Sequence, residues 1–190
     1  MLRAWANIDG KNTSTVSAAY TNDGTRVTVV LDKHEYLPGH IIRVSAISGG
    51  GLAVGNYSIT SSTLSTFSFL SNTFITNALS TTPGSGVLTI QKCIVNSQDN
   101  IHSVTKTMTG GYGINFKTPM IDSNFCPNVS TSWLDNTSAN MINIFTYWDT
   151  SMAANPYGIV VPTNTSFHIQ VMNRGGNPYD ANYIAVSVFR

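Results

Sequence analysis

Five aspartates have the residue type needed to hydrolyse a glycosidic bond. Glycosidases hold two carboxyl groups roughly 5–9.5 Å apart on either side of the sugar. All the candidates lie in turn-like contexts, where an aspartate usually accepts hydrogen bonds from nearby backbone. We therefore expect structural roles for them and predict that the chain is not an enzyme. The five are Asp9, Asp122, Asp135, Asp149 and Asp180.

The four histidines are His34, His40, His102 and His168. His34 and His40 flank a Pro-Gly turn (HEYLPGH), but two imidazoles alone make a weak metal site. His168 lies with Gln170 on the polar face of a predicted strand. If three copies of the chain met on an axis, either side chain would be placed to bind an ion there. The default for all four is a solvated or hydrogen-bonded histidine, so we predict no metal and no cofactor.

Two cysteines and two glycine-rich runs are the remaining candidates for a chemical role. Cys93 lies in an apolar strand (IQKCIV), which favours a buried, inert thiol. A disulfide with Cys126 would need the two α-carbons within about 7 Å, so sequence leaves their redox state open. Residues 49–51 and 84–86 are glycine-rich, but no Lys-Ser/Thr and no helix follow them. This excludes a phosphate-binding loop.

Composition restricts the class of protein. Charged residues make up 10% of the 190 residues, against about 25% in typical soluble domains. The net charge of +1, with no basic run, gives no electrostatic basis for binding nucleic acid or anionic lipid. No apolar run approaches the roughly 20 residues of a membrane span. The first residues, MLRAWANIDG, lack the features of a signal peptide, so we expect synthesis in the cytoplasm.

The pattern of apolar residues predicts short strands and turns throughout. Residues 3–9 (RAWANID) form a first strand, residues 10–14 a polar turn and residues 15–20 a second short strand. Residues 165–173 give the cleanest alternation of apolar and polar side chains. We find no helix of ten residues, and an all-β sandwich or barrel follows.

A hairpin at residues 100–116 stands out. Gly110-Gly111 separates two strands at the point where a tight turn needs positive φ. In the second strand Tyr112, Ile114 and Phe116 alternate with small or polar residues, so one face is predicted to be apolar.

Four segments together resemble the C-terminal domains of tail-fibre proteins from tailed bacteriophages. They are residues 3–10 (RAWANIDG), the hairpin at 100–116, residues 118–125 (TPMIDSNF) and residues 165–189. In that family the Arg-Ala-Trp strand lies shortly before a strand that leads into the hairpin, whereas a longer stretch intervenes here. That stretch, residues 14–85, is similar to small β modules of phage fibres. The similarity lies in the order of its parts, which are a strand, a His-x-x-x-Pro-Gly turn, a second strand, Gly-x-Tyr-x-Ile and Thr-Phe-x-Phe.

The resemblance implies an antiparallel, jelly-roll-like β-sandwich made of residues 1–13 and 86–190, interrupted by a smaller β module at 14–85. It implies a virion structural protein on the tail or particle surface, commonly a homotrimer, with no enzymatic activity. The first interpretation is a tail-fibre or tail-tip component that binds a receptor on the host. The alternatives are a capsid decoration protein that stabilises the head and a glycan-degrading tailspike.

The predicted partners are further copies of the chain, other phage tail or capsid proteins, and a glycan or protein of the host surface. Four aromatic residues cluster where the chain departs from the family pattern. If exposed, they would form a platform for stacking on sugar rings or on a protein; if buried, they belong to the core or to a subunit interface. The candidate contact residues are Trp133, Tyr147, Trp148 and Tyr157.

Overall fold

The computed structural model describes residues 1–71, 82–131, 140–143, 162–173 and 177–190, and every regular element in them is a β-strand. The predicted all-β class is confirmed. The strands are β1 (Leu2–Asn22), β2 (Arg26–Val30), β3 (Ile41–Gly49), β4 (Gly55–Ser62), β5 (Thr66–Leu70), β6 (Gly84–Asp99), β7 (Ile101–Met108), β8 (Gly111–Phe116), β9 (Cys126–Thr131), β10 (Asn140–Asn143), β11 (Ser166–Asn173) and β12 (Ile184–Phe189).

The described residues divide into two compact units. The first contains Met1–Ser14 and the described residues of Lys92–Trp148 and Val160–Arg190, and the second contains those of Thr15–Gln91. Strands β1 and β6 each contribute residues to both units. The module boundaries at 13/14 and 85/86 stay a prediction from the sequence.

The first unit is an antiparallel β-sandwich. One layer has the strand order β6-β1-β12-β9 and the other the order β10-β11-β8-β7. Inward-facing side chains of both layers share one apolar core, since strand residues two apart point to the same face. Its fully buried members include Ala4, Ala6 and Ile8 of β1, Tyr112, Ile114 and Phe116 of β8, and Phe167 and Val171 of β11.

The central hairpin forms as predicted. Strand β7 pairs with β8 in antiparallel register, with Val104 opposite Ile114, and Gly110 has a φ of 69°. All six residues of β8 are buried, however, including Gly113 and Asn115 on the face opposite the apolar one. This layer therefore has a buried polar face as well as a buried apolar face.

The first and last strands of the chain are neighbours. Strand β1 pairs with β12 from Leu2 opposite Phe189 to Ile8 opposite Ile184. Strand β9, which contains Pro127, pairs only with β12 among the described strands of its layer. An edge position suits a proline because it has no N–H to donate to a second neighbour.

The second unit has the strand order β1-β2-β5-β4-β3-β6. Its core combines aliphatic and aromatic side chains, and the ring centroids of Tyr57 and Phe69 lie 4.4 Å apart. Gly39 of the Pro-Gly turn has a φ of 87°, and its N–H donates to the carbonyl of Ile59. The turn is thus fastened to strand β4 by its backbone.

One local prediction was wrong. Residues 10–14 were expected to form a turn, but β1 runs without interruption from Leu2 to Asn22. Four of the five residues from Lys11 to Thr15 are exposed. A strand is defined by its backbone pairing, so polar side chains are compatible with it wherever they face solvent.

Candidate functional site

The described residues of the first unit enclose a cleft of about 1000 Å³. It is lined by Arg3, by Asp99 and Asn100, by residues 117–121 and by Arg190. We call it the Asn100 cleft. Four separate chain segments meet there, so its walls depend on the sandwich and not on one local motif.

Asn100 organises the floor of the cleft. It makes the turn from β6 to β7 with a φ of 52°, a left-handed conformation that asparagine tolerates better than most residues. Its side-chain oxygen accepts from the N–H of Thr118 at 2.8 Å, and its amide nitrogen donates to the carbonyls of Thr118 at 3.2 Å and Arg3 at 3.4 Å. One side chain therefore joins three of the cleft-lining segments.

The wall at residues 117–121 leaves β8 and is held by backbone hydrogen bonds. The N–H of Lys117 donates to the carbonyl of Asn100 at 3.1 Å, and that of Met120 to Asn164 at 2.7 Å. Met120 is buried in the sandwich core, whereas Ile121 is 82% exposed. The cleft lining thus includes an exposed apolar side chain, Ile121.

The charges at the cleft are mostly positive. Arg190 pairs with Asp122, with 2.6 Å between the guanidinium and the carboxylate. Arg3 and Lys117 form no ion pair with any described residue. Sequence reasoning missed this site, because its three cations lie far apart in the chain and none belongs to a recognisable motif.

The predicted aspartates that the structure describes all have hydrogen-bond or ion-pair partners. Asp9 accepts from the N–H groups of Lys11 and Asn12 and from the Asn12 side chain at 2.8–3.0 Å. These bonds lower the pKa of the Asp9 carboxyl, and the bond from the Asn12 side chain has the largest effect. Asp122 holds Arg190 and accepts from the N–H of Asn124. Asp135 and Asp149 lie outside the described residues.

Asp180 joins the turn region of the central hairpin to the segment before β12. Its carboxylate lies 2.7 Å from the ammonium of Lys106 and accepts from the N–H of Gly110 at 2.7 Å. The hydroxyl of Tyr112 lies 3.2 Å from the same carboxylate and 3.0 Å from the carbonyl of Gly10. Burial raises the pKa of Tyr112. This arrangement is structural, since all its groups bond to one another.

His34 and His40 lie in the turn of the second unit. The Nδ1 of His34 accepts from the N–H of Tyr36, and that of His40 from the N–H of Leu37. His102 contacts the hydroxyl of Ser103 at 3.0 Å through Nδ1. Among the described residues, no three histidine, cysteine or acidic side chains are grouped to hold a metal ion.

His168 and Gln170 lie on strand β11. The sequence places them on the polar face of a strand, where an axis shared by three copies was one alternative, and the structure buries both, at 6% and 2% exposure. The Nε2 of His168 lies 2.7 Å from the hydroxyl of Thr107. Burial lowers the pKa of His168 to about 4. The small side chains on neighbouring strands, such as Gly113, make room for this polar layer.

Cys93 and Cys126 are free thiols, the first buried and the second exposed. Burial raises the pKa of the Cys93 thiol to about 12, which favours the protonated form. The expectation that this thiol is buried is confirmed, and its low reactivity stays a prediction. The aromatic candidates Trp133, Tyr147, Trp148 and Tyr157 lie outside the described residues, and contact by them stays a prediction.

Comparisons of the chain with protein-family models, with curated proteins and with solved structures found no match. Within the ranges that the structure describes, no helix is long and apolar enough to cross a membrane.

Proposed function

We propose that the chain is a bacteriophage virion protein, a tail-fibre or tail-tip component that takes part in adsorption to the host. The observation that carries the proposal is the location of the segments on which the resemblance rests. Residues 3–10, 100–116 and 118–125, and the described part of 165–189, lie in the first unit. They supply strands β1, β7, β8, β11 and β12.

These segments also share one core. Ala4 and Ala6 of the Arg-Ala-Trp strand, Ile114 of the hairpin, Met120 of TPMIDSNF and Val188 of the last strand belong to the same buried cluster. Four segments scattered through the sequence therefore behave as parts of one domain. This coherence supports a common origin for the resemblance, since chance matches would have no reason to converge on one core.

The proposal places the protein on the virion surface, with other tail proteins and further copies of itself as partners. A homotrimer belongs to the proposal through the family resemblance. Host contact would come from loops at one end of the sandwich, as is usual for binding sites carried on a rigid β scaffold. A glycan or a protein of the host surface would be the receptor.

Adsorption competition tests this function. The purified chain is added to cells of the host bacterium before the virus that encodes it, and the free virus that remains is counted over time. We expect the chain to slow adsorption in a dose-dependent manner and to bind the cells directly. A host mutant that resists adsorption serves as the control and should bind neither. Unchanged adsorption at saturating chain, with no binding to cells, would contradict the proposal.

A further inference from the structure

Three of the ten lysine and arginine residues of the chain line the Asn100 cleft: Arg3, Lys117 and Arg190. The guanidinium of Arg190 already forms an ion pair with Asp122. The heads of Arg3 and Lys117 have no carboxylate of a described residue within ion-pair distance. Asp99 is the one acidic residue in the lining, so the local balance favours an anion. In a chain with so few charges, this concentration points to a ligand.

Part of the backbone that lines the cleft is already hydrogen-bonded. Peptides often bind by adding a strand to an open sheet edge through main-chain hydrogen bonds. Here the N–H and carbonyl of Thr118 and the carbonyl of Arg3 already bond to the side chain of Asn100. Because these three backbone groups already have a partner, we expect recognition to come mainly from the projecting side chains.

Those side chains combine two cations with an exposed apolar group, Ile121. An acidic sugar has matching features: a carboxylate, which guanidinium groups bind through two parallel hydrogen bonds, and an apolar face of ring C–H groups. Lysine binds anions as a point charge and tolerates more than one geometry.

We propose that the Asn100 cleft binds a carboxylate-bearing saccharide. Arg3 holds the carboxylate, Lys117 adds a second positive charge, and Ile121 packs against the C–H face of the sugar ring. This inference rests on the proposed function, because it names the chemical class of host-surface ligand that the domain would bind. An acidic segment of a protein partner is the competing occupant.

Nuclear magnetic resonance of the whole ¹⁵N-labelled chain tests the proposal directly. Trigalacturonic acid is titrated to millimolar concentration, and its fully methyl-esterified form is the matched ligand without charge. We expect the acid to shift the backbone amides of Asn100, Lys117 and Ile121, and the ester to leave them unchanged. Equal shifts with both ligands, or none in the cleft with the acid, would overturn the proposal.

Three variants assign the contacts. Arg3→Gln and Lys117→Gln remove exposed cations from the cleft, whereas Lys11→Gln removes an exposed cation of the same unit outside it. Loss of a charge-assisted hydrogen bond should weaken binding by about tenfold or more for Arg3→Gln, and Lys117→Gln should also weaken it. Lys11→Gln should not. Equal weakening in all three would indicate non-specific attraction and count against the site.

Hexaglutamate is the third ligand in the series. If it bound the cleft more tightly than the trisaccharide, the occupant would be an acidic protein segment and the saccharide assignment would be wrong. The two proposals also fail separately. A chain that competes for adsorption but shows no cleft shifts refutes the saccharide site alone, whereas cleft binding without adsorption competition refutes the fibre function alone.

Discussion

Asp180 and Lys106 form a partly buried ion pair with 2.7 Å between the carboxylate and the ammonium. The two residues stand 74 positions apart in the sequence. The pair fastens strand β7 to the segment before β12, and the same carboxylate holds the N–H of Gly110 at the hairpin turn. One carboxylate thus links the turn of the central hairpin to the segment before β12.

Replacement of Asp180 should destabilise the first unit. Asp180→Asn keeps the shape but removes the charge that Lys106 and Gly110 contact, and we expect a loss of about 1–3 kcal/mol in the free energy of unfolding. The other described ion pair, Asp122–Arg190, is more exposed, with side chains at 37% and 36%. Asp122→Asn should therefore cost no more than about 1 kcal/mol. Denaturant unfolding measures both, and equal losses would contradict this role for Asp180.

The conformation of Asn100 gives a second prediction. A residue with positive φ at this position is strained unless it is glycine or asparagine. Asn100→Ala loses the side-chain hydrogen bonds and adds strain, whereas Asn100→Gly loses the bonds alone. We expect the alanine variant to be less stable than the glycine variant by about 1 kcal/mol. Equal unfolding midpoints would mean that the turn relaxes to negative φ.

Acid should destabilise the first unit through His168. Its pKa is lowered by burial from 6.5 to about 4, so the neutral form is favoured in the folded state. The contribution of neutral His168 to the free energy of unfolding is fully present above pH 6.5. It is lost as the pH falls through 4, to a total of about 3 kcal/mol. Unfolding measured across this window should show a steeper loss for the natural chain than for His168→Gln. Parallel curves would refute the assignment.

The two thiols should differ in reactivity. A thiol reagent such as Ellman's should modify one cysteine per folded chain, the exposed Cys126, and two after denaturation. Cys126→Ser should abolish the reaction of the folded chain. Two reactive thiols in the folded chain would show that Cys93 is accessible, and no reactive thiol after denaturation would show a disulfide.

The sequence anticipated the features that depend on local pattern. The all-β class follows from alternation and turn residues, and the apolar face of Tyr112, Ile114 and Phe116 is buried as expected. The continuity of β1 was missed because a solvent-facing strand carries the same polar residues as a turn. The sequence left open whether His168 is solvated or buried, because alternation separates two faces but does not say whether the polar one is covered.

The Asn100 cleft was beyond sequence reasoning for a related reason. Arg3, Asn100, Lys117 and Arg190 come from distant segments that the sandwich brings together. An isolated arginine in a strand gives no sign that it will line the same cleft as other cations. Only the pairing of β1 with β12 and the turn at Asn100 place these residues around one space.

The most direct test of the virion proposal is the copy number of the protein per particle. Quantitative mass spectrometry of purified virus, with the major capsid protein as the internal reference, measures it. The tail-fibre or tail-tip proposal predicts a few to a few tens of copies. Hundreds of copies would instead identify a capsid decoration protein, and absence from the particle would contradict a virion role altogether.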